Sequence, residues 1–136
     1  MLFDFMKSKK RILIIDDDMS LVRLIKFHLE EKYNDYEIYY DNEGLSGYEH
    51  VKKLNPDLIL LDWVLPDTSG KKILTKLKSD SQTREIPVIM LTGKTQISDI
   101  EDAFDHEVND YITKPFHMNK LSQKIYTQLE AALEAA

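Results

Sequence analysis

Pro56-Asp57-Leu58-Ile59-Leu60-Leu61-Asp62-Trp63-Val64-Leu65-Pro66-Asp67-Thr68-Ser69-Gly70 is the stretch on which the fold turns. Leu58 to Leu61 is an unbroken apolar run, which a surface helix rarely needs but a strand covered on both faces requires. The run stops at Asp62, and Pro66 and Gly70 force a loop just beyond it. A carboxylate therefore stands at the carboxyl end of a buried strand, the edge of an open α/β sheet where ligands bind. Taken alone, Asp62 is equally consistent with a turn former or a cap for the next helix.

Three other segments repeat the pattern. Arg11 to Ile15 reads as a buried strand closed by Asp16-Asp17-Asp18, Pro87 to Leu91 closes on Thr92-Gly93, and Asp110 to Thr113 closes on Lys114-Pro115. Tyr36 to Tyr40 alternates as a less buried strand. Between them, apolar residues recur at helical spacing. The first such set is Leu21, Leu24, Ile25, His28 and Leu29, with Asp18 or Ser20 as cap. The second is Leu45, Tyr48, Val51 and Leu54 in a helix over 43–54, weakened by Gly44 and Gly47. Ile73, Leu74 and Leu77 mark a helix over 71–79, and Ile97, Ile100, Ala103 and Phe104 mark a fourth. Met118, Leu121, Ile125, Leu129 and Leu133 mark a last one from about His117, whose close over 130–136 carries no stop signal. His28 falls on the apolar stripe and has no second histidine at i+3 or i+4, only the lone carboxylate of Glu31, so it reads as a partly buried helix residue. Five strand–helix alternations predict one α/β domain over 11–136. It is doubly wound about a five-stranded parallel sheet, with helices on both faces and right-handed crossovers. Residues 1–10 form a lead-in.

The chain has 136 residues, no cysteine and a net charge of −6. Its size suits a single domain with a real core. Without cysteine there is no disulfide framework, thiolate metal site or thiol nucleophile. No apolar run approaches the ~18 residues of a membrane helix, and the order of apolar and basic residues at the start is the reverse of a secretory signal. The expectation is a soluble, cytoplasmic protein with no membrane partner. The negative charge argues against general affinity for nucleic acid, and Lys7, Lys9, Lys10 and Arg11 read as a solvated lead-in.

Parallel strands all finish at one edge, so the aspartates, Thr92-Gly93 and Lys114 must converge. Converging carboxylates repel unless a cation neutralises them, and Lys114 supplies one charge only. A hard divalent ion on oxygen ligands fits, Mg²⁺ first and Mn²⁺ as the alternative. With the Thr92 hydroxyl, the backbone N–H groups beside Gly93 and the Lys114 ammonium, the set suits a phosphoryl group beside a carboxylate. Asp62, on the central strand, is the candidate nucleophile. Singly, the members have plainer explanations: a solvated aspartate turn, a helix-capping threonine, a surface lysine. Their arrival at one edge in this order argues against coincidence.

Ile14-Ile15-Asp16-Asp17, Leu60-Leu61-Asp62, Leu65-Pro66 with Gly70, Met90-Leu91-Thr92-Gly93 and Tyr111-Ile112-Thr113-Lys114-Pro115-Phe116 together resemble the receiver domain of bacterial two-component response regulators, over about 11–129. The resemblance implies a flavodoxin-like (βα)5 fold of strand order 2-1-3-4-5. It implies that Asp62 takes phosphate from the phosphohistidine of a sensor histidine kinase or a phosphotransfer protein. Asp17, Asp62 and the backbone carbonyl of Val64 would hold Mg²⁺, with Asp16 helping through water. Val64, Thr92, Gly93 and Lys114 would bind the phosphoryl oxygens, and Tyr111 would turn inward as Thr92 moves. The domain would be a signalling element, not a general enzyme. Its output would be protein contact or homodimerisation through the face of the fourth helix, fifth strand and last helix, without direct nucleic-acid binding.

Three departures stand out: Glu107-Val108 where receivers often carry Gly-Ala, Asp41-Asn42 where Ala-Ser is usual, and Val64 and Lys94 at positions that influence attack of water on the acyl phosphate. Two alternatives remain: a haloacid dehalogenase-like phosphatase with Asp16 as nucleophile, from Asp16-x-Asp18-x-Ser20, and a receiver-like scaffold that never takes phosphate.

Overall fold

The computed structural model describes residues 9–32, 34–93 and 108–135. In chain order the elements are β1 (Lys10–Ile15), α1 (Met19–Lys32), β2 (Tyr36–Asp41), α2 (Gly44–Leu54), β3 (Leu58–Asp62), α3 (Gly70–Ser79), β4 (Val88–Gly93), β5 (Asp110–Lys114) and α4 (Met118–Ala135). The strands form one sheet of order β2-β1-β3-β4-β5, every pairing parallel. This is the predicted sheet and the implied order. The helix expected on Ile97, Ile100, Ala103 and Phe104 lies outside the described residues, as do Lys94 and Glu107.

Apolar runs become central strands because each face has its own helical layer. Leu13, Ile15, Ile59, Leu61, Val88 and Met90 meet Val51 of α2 and Ile73, Leu74 and Leu77 of α3. Ile12, Ile14, Leu58, Leu60, Ile89, Leu91 and Ile112 meet Val22, Ile25 and Leu29 of α1 and Leu121, Ile125 and Leu129 of α4. Side chains alternate between the faces along each strand, so a run apolar at every position buries both. At about 25 cal/mol per Å² of apolar surface removed from water, these two layers are the main source of stability.

Three expected core positions are exposed instead: Leu24 at 53%, Leu45 at 51% and Leu133 at 55%. In α1 the buried stripe runs through Val22, Ile25 and Leu29, which turns Leu24 outward. In α2 it runs through Gly44, Gly47 and Val51. A Cβ on Gly47 would sit 2.9 Å from the Ile15 side chain, so a glycine that weakens the helix is what lets it approach the sheet. Leu133 falls in the exposed stretch 130–135, past the last buried residue of α4, Leu129. His28 is partly buried as expected, its Nε2 3.0 Å from Ser122 Oγ across the α1–α4 seam. Among the described residues no helix is long and apolar enough to cross a membrane.

Candidate functional site

The carboxyl edge of the sheet collects the predicted groups. By strand alternation Asp62 follows Leu58 and Leu60 onto the α1 face, Lys114 follows Ile112, and Asp16 continues the parity of Ile12 and Ile14. The contacts agree: Lys114 Nζ donates to Asp16 Oδ2 at 2.8 Å and lies 3.3 Å from Asp62 Oδ1. Asp16 Oδ1 also accepts the Asp18 N–H at 2.9 Å. Asp16 is fully buried, Asp62 is 8% exposed and Asp17 faces solvent. Carboxylate oxygens of Asp16, Asp17 and Asp62 all lie within 4.8 Å of one another. Three carboxylates against one ammonium leave an excess of negative charge on an all-oxygen donor set, which fits a hard divalent cation.

Burial, then the Asp16 charge, push the Asp62 carboxyl up to about 6, against the lowering effects of Lys114 and the Val64 N–H. Burial alone would depress the Lys114 ammonium, but the hydrogen bond and charge of Asp16, joined by Asp62, outweigh it and raise its pKa. The two groups thus sustain each other: the lysine keeps the buried acid ionisable, and the acids keep the lysine charged.

The loop after β3 is tightly folded. Trp63 N–H reaches Leu91 O at 2.9 Å, Gly70 N–H reaches Trp63 O at 2.8 Å and Leu65 N–H reaches Thr68 O at 3.3 Å, while Val64 and Ser69 form an antiparallel bridge. A Cβ on Gly70 would collide with the Asp62 carbonyl oxygen, so only glycine permits this close approach. The cap of α3 is Ser69, whose Oγ accepts the Lys72 N–H at 3.2 Å. Asp62 is therefore not a capping residue. Val64 is 58% exposed beside it.

Thr92, fully buried, and Gly93 end β4, in register with Thr113 and Lys114. Thr92 shares the parity of Met90, on the α2–α3 face, where the half-buried Tyr111 also packs. The predicted set thus divides: Asp16, Asp62 and Lys114 on one face, Thr92 and Tyr111 on the other. The Lys114–Pro115 peptide is cis.

Two carboxylates escaped a functional account in the sequence. Asp67 Oδ1 and Oδ2 accept the N–H groups of Gly44 and Leu45 at 2.8 and 2.9 Å. Asp41 accepts the Glu43 N–H at 3.3 Å and Ser46 Oγ–H at 2.6 Å, and lies 3.4 Å from His50 Nδ1. Its carbonyl accepts the Asp16 N–H at 3.1 Å. No local signal announces a cap on Gly44 from Asp67, 23 residues away. Asp18 caps α1 through the Leu21 N–H at 3.1 Å, one of the two candidates proposed.

Comparison with known proteins agrees with this geometry. The chain matches the response regulator receiver domain model over residues 12–126. It is 38% identical over 115 residues to the DNA-binding dual master transcriptional regulator RpaA of Synechocystis sp., covering 85% of this chain and 47% of that protein. It is 36% identical over 116 residues to the phosphate regulon transcriptional regulatory protein PhoB of Escherichia coli, covering 85% and 50%. The chain thus spans about half the length of these curated relatives. The crystal structure of a CheY-like response regulator receiver domain protein from Methanospirillum hungatei superposes with a TM-score of 0.87 at 28% identity, covering 95% of this chain and 100% of that one. The receiver domain of the Pseudomonas aeruginosa sensor histidine kinase PA1611, with magnesium in its active-site cleft, shares the fold at a TM-score of 0.80 and 23% identity, covering 90% and 99%. With the family model spanning both helical layers and every strand of the carboxylate edge, the chain belongs to the response regulator receiver domain family.

Proposed function

We propose that Asp62 accepts a phosphoryl group from the phosphohistidine of a sensor histidine kinase or a phosphotransfer protein. The observation that carries this is Lys114 Nζ lying between Asp16 and Asp62, at 2.8 and 3.3 Å, beside a cluster of three carboxylates. Asp16, Asp17, Asp62 and the Val64 carbonyl would hold Mg²⁺, with Mn²⁺ as a substitute. Bound there, the cation supplies the neutralisation that lets a phosphate approach a carboxylate-rich edge.

A carboxylate oxygen of Asp62 attacks phosphorus in line; the O–P bond forms as the P–N bond breaks, and the leaving imidazole keeps the electron pair and takes a proton. Lys114 pairs with the new phosphoryl oxygens, while Thr92 and the backbone at Gly93 donate to them. Drawing Thr92 toward phosphate vacates space on the α2–α3 face, where Tyr111 follows. That biases an existing equilibrium of the surface built on β5 and α4. The output is contact with a partner protein or a second copy through that surface, and the protein works in the cytoplasm.

Incubation with acetyl phosphate and Mg²⁺ should add one phosphoryl group, about 80 Da by intact mass. EDTA and Asp62→Asn should each abolish it. Labelling retained in Asp62→Asn, or none in the wild type, sinks the assignment. The haloacid dehalogenase-like alternative draws no support from Asp16, which is fully buried and bonded to Lys114. It requires turnover of p-nitrophenyl phosphate that survives Asp62→Asn and dies with Asp16→Asn.

Val64 offers no hydrogen bond to a water approaching the acyl phosphate, so the phosphoryl group should persist for minutes or longer. Val64→Asn should shorten its lifetime, measured as loss of the mass increment with time; an unchanged lifetime refutes this role.

A further inference from the structure

Asp67 stands outside the phosphoryl site, yet it ties that site to a helix. The first turn of α2 has no cap of its own: Glu43, at the N-cap position, makes no side-chain hydrogen bond. Two orphan N–H groups are instead satisfied by the Asp67 carboxylate, Gly44 at 2.8 Å and Leu45 at 2.9 Å. The contact is close because residue 44 is glycine: a Cβ there would lie 2.5 Å from Thr68 Cγ2 and 3.1 Å from Leu65 Cδ1. The loop that grips α2 is the one that carries Val64. It is closed at its base by Gly70 N–H on Trp63 O at 2.8 Å, and within by Leu65 N–H on Thr68 O at 3.3 Å. Val64 follows Asp62 by two residues, and its N–H acts on the Asp62 carboxyl in the direction that lowers its pKa. A short, internally braced loop thus has the acceptor at one end and a helix at the other.

Resting on the site assigned above, we propose that Asp67 is a positioning residue: by clamping the 64–68 loop onto the start of α2, it sets the place of the Val64 backbone over Asp62 and hence the affinity for the divalent cation. Outer partners of this kind commonly govern metal affinity through ligands they never replace.

The test is Mg²⁺ titration of the full chain, read by fluorescence of Trp63, the one tryptophan in the sequence and the neighbour of Asp62, and independently by the Mg²⁺-induced rise in Tm. Asp67→Ala should weaken Mg²⁺ binding about tenfold. Asp67→Asn, which keeps the shape and one acceptor but no charge, should fall between Asp67→Ala and wild type. Tyr48→Phe loosens α2 elsewhere, by removing its 3.0 Å bond to Asp80, and should bind as wild type does. Should Asp67→Ala fail to fold, Asp67→Asn carries the test: wild-type affinity or a loss that vanishes in high salt overturns the proposal, the latter because it marks simple charge attraction. Unchanged affinity in a folded Asp67→Ala overturns the clamp while leaving the site reading intact. A wild type that answers Mg²⁺ by neither readout overturns both.

Discussion

Gly70→Ala should destabilise the domain by about 3 kcal/mol or more, the range of severe overpacking against groups that cannot yield. The new methyl would meet the Asp62 carbonyl oxygen and lie 3.0 Å from Asp62 C and Trp63 Cα, all backbone atoms. No rotamer change relieves such a clash. Either the Gly70 N–H leaves Trp63 O and the 63–70 loop opens, or the end of β3 tilts and carries Asp62 away from Lys114. Urea denaturation gives the stability, and acetyl phosphate labelling of the folded fraction should fall with it. Gly47→Ala is the matched control: its Cβ would press only on the Ile15 side chain at 2.9 to 3.0 Å, and the cost should be smaller, about 1 to 2 kcal/mol. Equal losses in the two variants would refute the argument.

The second large effect is a stability profile that runs against the usual direction for acids. The Asp62 carboxyl rises from its ordinary 3.8 to about 6 on folding, chiefly through burial and then through Asp16. Between those values the folded state holds a proton that the unfolded state has released, so stability falls as pH rises through that window. Two pH units correspond to roughly 2 to 3 kcal/mol lost between acid and neutral pH. Glu30, Asp67 and Asp80, whose hydrogen bonds hold their carboxyls below the ordinary range against burial, act in the opposite sense. Their stabilisation is lost only as pH falls below about 4. Comparison with Asp62→Asn isolates the one group. In metal-free buffer the variant should be more stable than wild type at pH 7, with the gap closing toward pH 4; Mg²⁺ should narrow the gap by offsetting the buried charge. Equal stability of the two proteins at pH 7 without metal contradicts the prediction.

The parallel strand–helix alternation and the edge chemistry were legible in the sequence because both rest on short local patterns, whereas the strand order was only implied by the resemblance to receiver domains. Ile12 to Ile15 and Leu58 to Leu61 are apolar at successive positions, and a polar group ends each run. Parallel pairing then forces convergence without further information. Helix faces were less legible. Leu45 was expected inside on hydropathy, whereas the packed stripe passes through Gly44, close against Thr68, Ile73 and Leu65, and Gly47, close against Ile15, so steric closeness outweighed apolar area. The Asp67 bond to Gly44 and Leu45 was invisible for another reason: Pro66-Asp67-Thr68-Ser69-Gly70 has turn composition, and nothing local says which distant amides its carboxylate meets. The division of Thr92 and Tyr111 from Asp16, Asp62 and Lys114 follows from alternation alone, but only once the strand ends are known.

The exposed end of α4 has a mechanical consequence. Helices here run back against the strands, so residues 130–135, all exposed, lie at the end of the sheet remote from the carboxylates. At 1.5 Å per residue they extend roughly 9 Å beyond Leu129. A lever of that length carries a tilt at its root outward: rocking α4 by about 10° against β5 would move the tip by roughly 1.6 Å relative to Leu129, with no sliding of the core beneath it.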